Sequence, residues 1–191
     1  MNGEPISELN AGLQLFRDEL AQDDLARKRV EVAVVEFNSS VNVVQDFVTA
    51  ETFQPPTLSA TGVTSMGTGI EKALEITQQR KQTYKDNGVT YYRPWLFLIT
   101  DGSPTDSIAN AKTQLKRLVE EKGVVFFAVG VKNADMGRLK ELAGDNTAKL
   151  DGLNFSKLFE WLSASMQRVS QSKPGDMTEL PPPDSWAAIG S

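Results

Sequence analysis

Two short segments are rich in oxygen ligands and glycine: Gly62-Val63-Thr64-Ser65-Met66-Gly67 and Thr100-Asp101-Gly102-Ser103-Pro104-Thr105-Asp106. Asp101 follows directly on Trp95-Leu96-Phe97-Leu98-Ile99, a run apolar at every position that predicts a strand covered on both faces. A carboxylate beside a glycine at the end of such a strand lies where an open α/β sheet gathers its ligands. This favours a site role for Asp101 over simple turn chemistry. Asp106 reads instead as a cap for the helix that follows it. The absence of His and Cys from all 191 residues narrows the chemistry further. It excludes Ser-His-Asp and Cys-His nucleophiles, zinc held by imidazole or thiolate, disulfides and redox thiols. Any metal held by such a chain is a hard, oxygen-liking cation.

The glycine-rich segment invites comparison with a phosphate loop, and the comparison fails. Gly62 and Gly67 have the right gap, but Thr68 stands where lysine is required and Gly69 where a hydroxyl should hold magnesium. Asp101 and Asp106 are both carboxylates, yet nothing in the sequence places them as an acid/base pair around a cleft. The residues thus disfavour a nucleotide hydrolase and rank an enzyme below a binding or scaffold protein.

The elements that must position these residues follow from periodicity. Pro5 suits a first helical turn, and Ile6, Leu9, Leu13, Phe16 and Leu20 recur at helical spacing up to the Asp23-Asp24 pair. Arg27-Lys28-Arg29 reads as a solvated connection. Val30 to Phe37 and Val41 to Val48, separated by Asn38-Ser39-Ser40, predict a hairpin whose second strand is antiparallel and near an edge. Ile70, Ala73, Leu74 and Thr77 mark a helix running toward Tyr84, and Ile108, Ala111, Leu115 and Leu118 mark another, stopped by Gly123 before a strand from Val124 to Val129. A short helix around Leu139 and Leu142, a weak strand from Ala148 to Leu150, and a final amphipathic helix through Phe155, Leu158, Phe159, Leu162 and Met166 complete the pattern. This alternation predicts an α/β fold: a doubly wound, mostly parallel sheet with helices on both faces and one antiparallel edge strand.

The length and a 40% apolar content suit one domain, assigned to residues 1–170. Residues 171–191, with Pro181-Pro182-Pro183, read as a Pro-rich extended or disordered tail whose apolar handles are Trp186 and Ile189. A net charge of −5 argues against nucleic acid and anionic lipid as partners. The longest apolar runs fall far short of the ~20 residues of a membrane helix, and Asn2-Gly3-Glu4 after Met1 leads to the expectation of no signal peptide. The expected location is cytoplasmic.

Three stretches together carry a resemblance. Gly3-Glu4-Pro5-Ile6 with Leu9-Asn10, Gly62 to Gly67, and Leu98-Ile99-Thr100-Asp101-Gly102, in this order and spacing, resemble a von Willebrand factor type A (vWA) domain. More narrowly, Phe16-Arg17-Asp18-Glu19-Leu20, Tyr91-Tyr92-Arg93-Pro94-Trp95 and Leu158-Phe159-Glu160-Trp161-Leu162-Ser163 are similar to bacterial TerY-type proteins of tellurium-resistance clusters. The resemblance implies a Rossmann-like vWA fold and a metal-ion-dependent adhesion site. In that site one divalent cation is held by an Asp-x-Ser-x-Ser motif, a Thr and an Asp from three loops. Matched by motif, the Thr is Thr64 and the Asp is Asp101, with Mg²⁺ as the cation and a partner's carboxylate replacing one of its waters.

The family's first strand and its Asp-x-Ser-x-Ser motif normally precede a Met that matches Met1, so the resemblance implies an N-terminally truncated domain. A start placed too late or a shortened chain is preferred over a fold that rearranges or borrows a strand from another copy. Removing that central strand would leave its two neighbours with unpaired backbone groups, each buried one costing about 1–3 kcal/mol. The resulting expectation is a non-enzymatic interaction module with a vestigial or incomplete metal site. It would belong to a bacterial stress-response system with kinase or phosphatase regulators as partners. The alternative is a metal-independent scaffold that binds through helical faces and the C-terminal tail.

Overall fold

The computed structural model describes residues 1–176, 178–182 and 186–187; Ile189 lies outside them. The α/β class is as expected, and the chain divides into two compact units. The first comprises residues 1–34, 43–60 and 150–191, the second residues 35–42 and 61–149. The strands fall into two ladders. One is the hairpin of β1 (Glu31–Phe37) and β2 (Val41–Thr49); the other is the parallel sheet of β3 (Trp95–Thr100), β4 (Val125–Gly130) and β5 (Thr147–Lys149), in that order.

In the first unit, α1 (Glu4–Ala21) packs against α6 (Phe155–Gln171). Leu9, Leu13, Phe16 and Leu20 recur on one face of α1 and are buried, and the Phe16 and Phe159 rings lie 5.8 Å apart. The Arg27-Lys28-Arg29 run is not a mere connection. It forms the short helix α2 (Ala26–Arg29), whose start is held by Asp23 Oδ1 accepting from the Ala26 amide at 2.7 Å. Arg27 pairs with Glu51 at 2.7 Å, and Arg29 donates to the Ser170 carbonyl at 2.6 Å. These basic groups are thus committed to structure within the unit.

The tail doubles back onto α6. Trp161 Nε1 donates to the Pro181 carbonyl at 2.7 Å, and Arg168 donates to the Glu179 carbonyl at 3.3 Å. Trp186, only 3% exposed, packs its ring 5.5 Å from that of Trp161. Its carbonyl accepts from the Asp151 amide, and Ala187 forms an antiparallel bridge with Leu150.

In the second unit, β3 and β4 pair in parallel with Leu96 opposite Phe126 and Leu98 opposite Ala128. These residues point to one face, where α3 (Met66–Asp86) and α4 (Ala109–Glu120) bury Met66, Ile70, Leu74, Ala111, Leu115 and Leu118 against them. Leu139 of α5 (Met136–Ala143) closes the same core. The alternate residues of the strands bring the Phe97 and Phe127 rings into a stack 4.7 Å apart. Trp95 and Phe97 are half-buried, less covered than a strand apolar at every position predicts. Parallel strands need a crossover, which α4 supplies between β3 and β4, and this puts the carboxyl ends of the strands on one edge. Among the described residues no helix is long and apolar enough to cross a membrane.

Candidate functional site

At the end of β3, Thr100 is 4% exposed. Its carbonyl accepts from the Val131 amide at 2.8 Å, while its hydroxyl accepts from the Gly102 amide at 3.3 Å. The side chain thereby starts a turn at the last strand residue, and Asp101 is the first residue beyond the sheet. The helix α3 begins after the loop 61–65, whose amides are tied to the hairpin turn. Ser39 Oγ accepts from Val63 at 3.2 Å, and the Asn38 carbonyl accepts from Ser65 at 3.2 Å.

The two loops singled out by sequence are bonded to each other. The Thr64 amide donates to Thr105 Oγ1 at 3.1 Å, and the Thr64 carbonyl accepts from the Thr105 amide at 2.9 Å. Thr64 Oγ1 sits over Gly102, 2.9 Å from where a Cβ would be on that residue. The Thr64 hydroxyl is therefore placed at the residue next to Asp101. A side chain at position 102 would push it away.

Asp106 does not cap the helix that follows it. The N-cap of α4 is Ile108, without a side-chain cap. Asp106 instead reaches across to the start of α3, accepting from the amides of Gly67 at 3.0 Å and Thr68 at 2.8 Å and from Thr68 Oγ1 at 2.9 Å. The physical reason is that α3 has no side-chain cap of its own and no acidic residue in its first turn. Its free amides and the positive end of its dipole thus attract the nearest carboxylate. Gly67 makes the approach possible, because a Cβ there would collide with the Ser107 carbonyl oxygen. Burial alone would raise the Asp106 pKa, but the Thr68 and Gly67 amides and the Thr68 hydroxyl outweigh it and hold the carboxyl below its ordinary range.

Asp106 is the residue that the sequence reading misassigned, Thr105 was given no role in it, and Asn38 and Ser39 were read as a simple turn. The one available signal was the lack of any cap or acid at the start of α3; the partners are 38 and 39 residues away in the chain. Two aspartates and no lysine or arginine lie within 61–69 and 100–107, so the loops carry local negative charge. Among the described residues no group of three or more carboxylates gathers into a ready-made metal cage.

A parallel sheet with an oxygen-bearing loop at the end of β3 is the arrangement in which open α/β domains gather ligands. Residues 13–158, more than half of the chain, match the von Willebrand factor type A domain, and the chain belongs to that family. Domains of this family serve in general as protein-interaction modules.

Proposed function

We propose that this chain is a non-enzymatic protein-interaction module whose contact surface is formed by the loops of Thr64 and Asp101. The observation that carries the reading is the seating of the Thr64 hydroxyl over Gly102, beside Asp101, by paired backbone bonds between the two loops. The donor set consists of oxygen alone, one hydroxyl and one carboxylate, which suits Mg²⁺, a cation commonly held by one or two carboxylates and several waters. When bound, the cation would supply a positive centre on which a partner's carboxylate can replace water. Thr64 and Asp101 would orient and hold it, and the local negative charge would favour its approach. These two are the protein ligands that the family resemblance matches within residues 1–191. The resemblance to TerY-type proteins supports a role in a bacterial, cytoplasmic stress-response system of the tellurium-resistance kind, with kinase or phosphatase regulators as the partners presenting the acidic residue.

The metal-independent alternative used the helical faces and the tail. The burial of Trp186 against Trp161 weighs against it, because the tail's large apolar handle is already occupied within the chain. Isothermal titration of Mg²⁺, followed by an acidic peptide, tests the proposal. Saturable Mg²⁺ binding that Asp101→Ala abolishes, and peptide binding that chelator reverses, are the expected results. Binding of Mg²⁺ unaffected by Asp101→Ala would overturn the reading.

A further inference from the structure

We infer that Asp106, with Thr105, is a positioning residue: a clasp that sets the Thr64 loop against the Asp101 loop. Its functional consequence rests on the reading of Thr64 and Asp101 as the contact site. The clasp has two parts on adjacent residues. Thr105 makes two bonds to the backbone of Thr64, through its hydroxyl at 3.1 Å and its amide at 2.9 Å. Asp106 makes three, to the amides of Gly67 and Thr68 and to the Thr68 hydroxyl, at 2.8–3.0 Å. The Thr64 carbonyl also accepts from the Met66 amide at 2.8 Å, so the first turn of α3 and the Thr64 peptide are fixed as one piece.

Asp106 is thereby committed as an acceptor. Both its oxygens face α3, with Oδ1 on Gly67 and Oδ2 on Thr68. Without Asp106, nothing on α3's own side chains caps its amides. The helix start would then be held to the 100–107 loop through Thr105 alone, and the seat of Thr64 over Gly102 would loosen. Groups that orient the direct ligands of a metal in this way typically carry about 10- to 100-fold in its affinity.

The test uses the whole chain and three variants: Asp106→Ala, Asp106→Asn and Asp135→Ala. Asp135 caps α5 through the Arg138 amide at 3.1 Å, and its hydrogen bonds go to α5 and not to either loop, so its loss matches the structural cost of a lost cap without opening the clasp. In metal-free Asp106→Ala, the Gly67 and Thr68 amides should lose hydrogen-exchange protection, and the Thr64 and Gly102 amide resonances should shift. Mg²⁺ affinity by titration calorimetry should fall roughly 10- to 100-fold. Asp106→Asn, which keeps one carbonyl acceptor, should restore part of both. Asp135→Ala should lower the melting temperature while leaving Mg²⁺ affinity unchanged. If Asp106→Ala does not fold, the Asp106→Asn shifts at Thr64 and Gly102 decide. Unmoved Thr64 and Gly102 resonances, or an equal loss of affinity in Asp135→Ala, would overturn the clasp. Failure of the unmodified chain to bind Mg²⁺ would overturn the site reading alone, since the metal-free exchange and resonance data judge the clasp independently.

Discussion

Substituting Asp106 with alanine should cost stability in a pH-dependent way, and the structure fixes both the size and the sign. The change removes three hydrogen bonds, two of them to first-turn amides of α3 that have no other side-chain acceptor. Loss of an N-terminal cap costs roughly 0.5–2 kcal/mol, and loss of a negative charge at the positive end of a helix roughly 0.3–1 kcal/mol. Because the side chain is only partly buried, solvent screening keeps the charge contribution at its lower end. The expected total at neutral pH is about 1–2 kcal/mol. The carboxyl is held below its ordinary range in the folded state. A carboxylate depressed in this way contributes fully above its unfolded value, near ~3.9, and loses that contribution as pH falls through the lower folded value. Urea unfolding of the unmodified chain and of Asp106→Ala, at steps from neutral to acid, measures the difference directly. It should be constant down to about pH 5, shrink below about pH 4, and level off in stronger acid at the smaller difference that the neutral carboxyl's remaining carbonyl acceptor supplies. A difference that persists undiminished in acid, or none at neutral pH, would refute the argument.

Other consequences follow from packing. Gly67→Ala places a methyl against the Ser107 carbonyl and should destabilise by about 1–3 kcal/mol, seen as a lowered urea midpoint. Trp186→Ala removes a ring from the α6 seat, for which burial sets an upper limit of about 3–5 kcal/mol. Release of the tail restores chain entropy, so the measured loss should be smaller, and protease cleavage within 172–182 should quicken. Phe126→Ala opens the centre of the second unit's core and should cost about 3–5 kcal/mol by the same measurement.

Periodicity alone located the helices and strands that bury a continuous apolar stripe, such as β4 from its Val124–Val129 run and α6 from Phe155, Leu158, Phe159 and Leu162. It missed α2 because a single turn of Arg and Lys has no apolar period. That helix is held by Asp23 and by pairing with Glu51, neither of which leaves a local pattern. Asp101 was singled out because loops at strand ends gather ligands, whereas Thr64 was carried over by motif from the family resemblance alone. Asp106 was assigned to the wrong helix because a side-chain cap is usually local, and here the neighbouring α3 had the unfilled amides. The return of the tail was equally hidden, since a lone Trp in a Pro-rich stretch does not reveal whether its seat lies in the same chain.

The central claim is that Thr64 and Asp101 together present a cation to a partner's carboxylate. Mn²⁺, substituted for Mg²⁺ at low occupancy, broadens the amide resonances of residues near the site where it sits. The claim predicts broadening centred on Thr64, Asp101 and Gly102, removed by excess Mg²⁺ and absent in Asp101→Ala. Broadening centred on surface acid pairs such as Asp23-Asp24 or Glu120-Glu121, with Thr64 and Gly102 untouched, would contradict it.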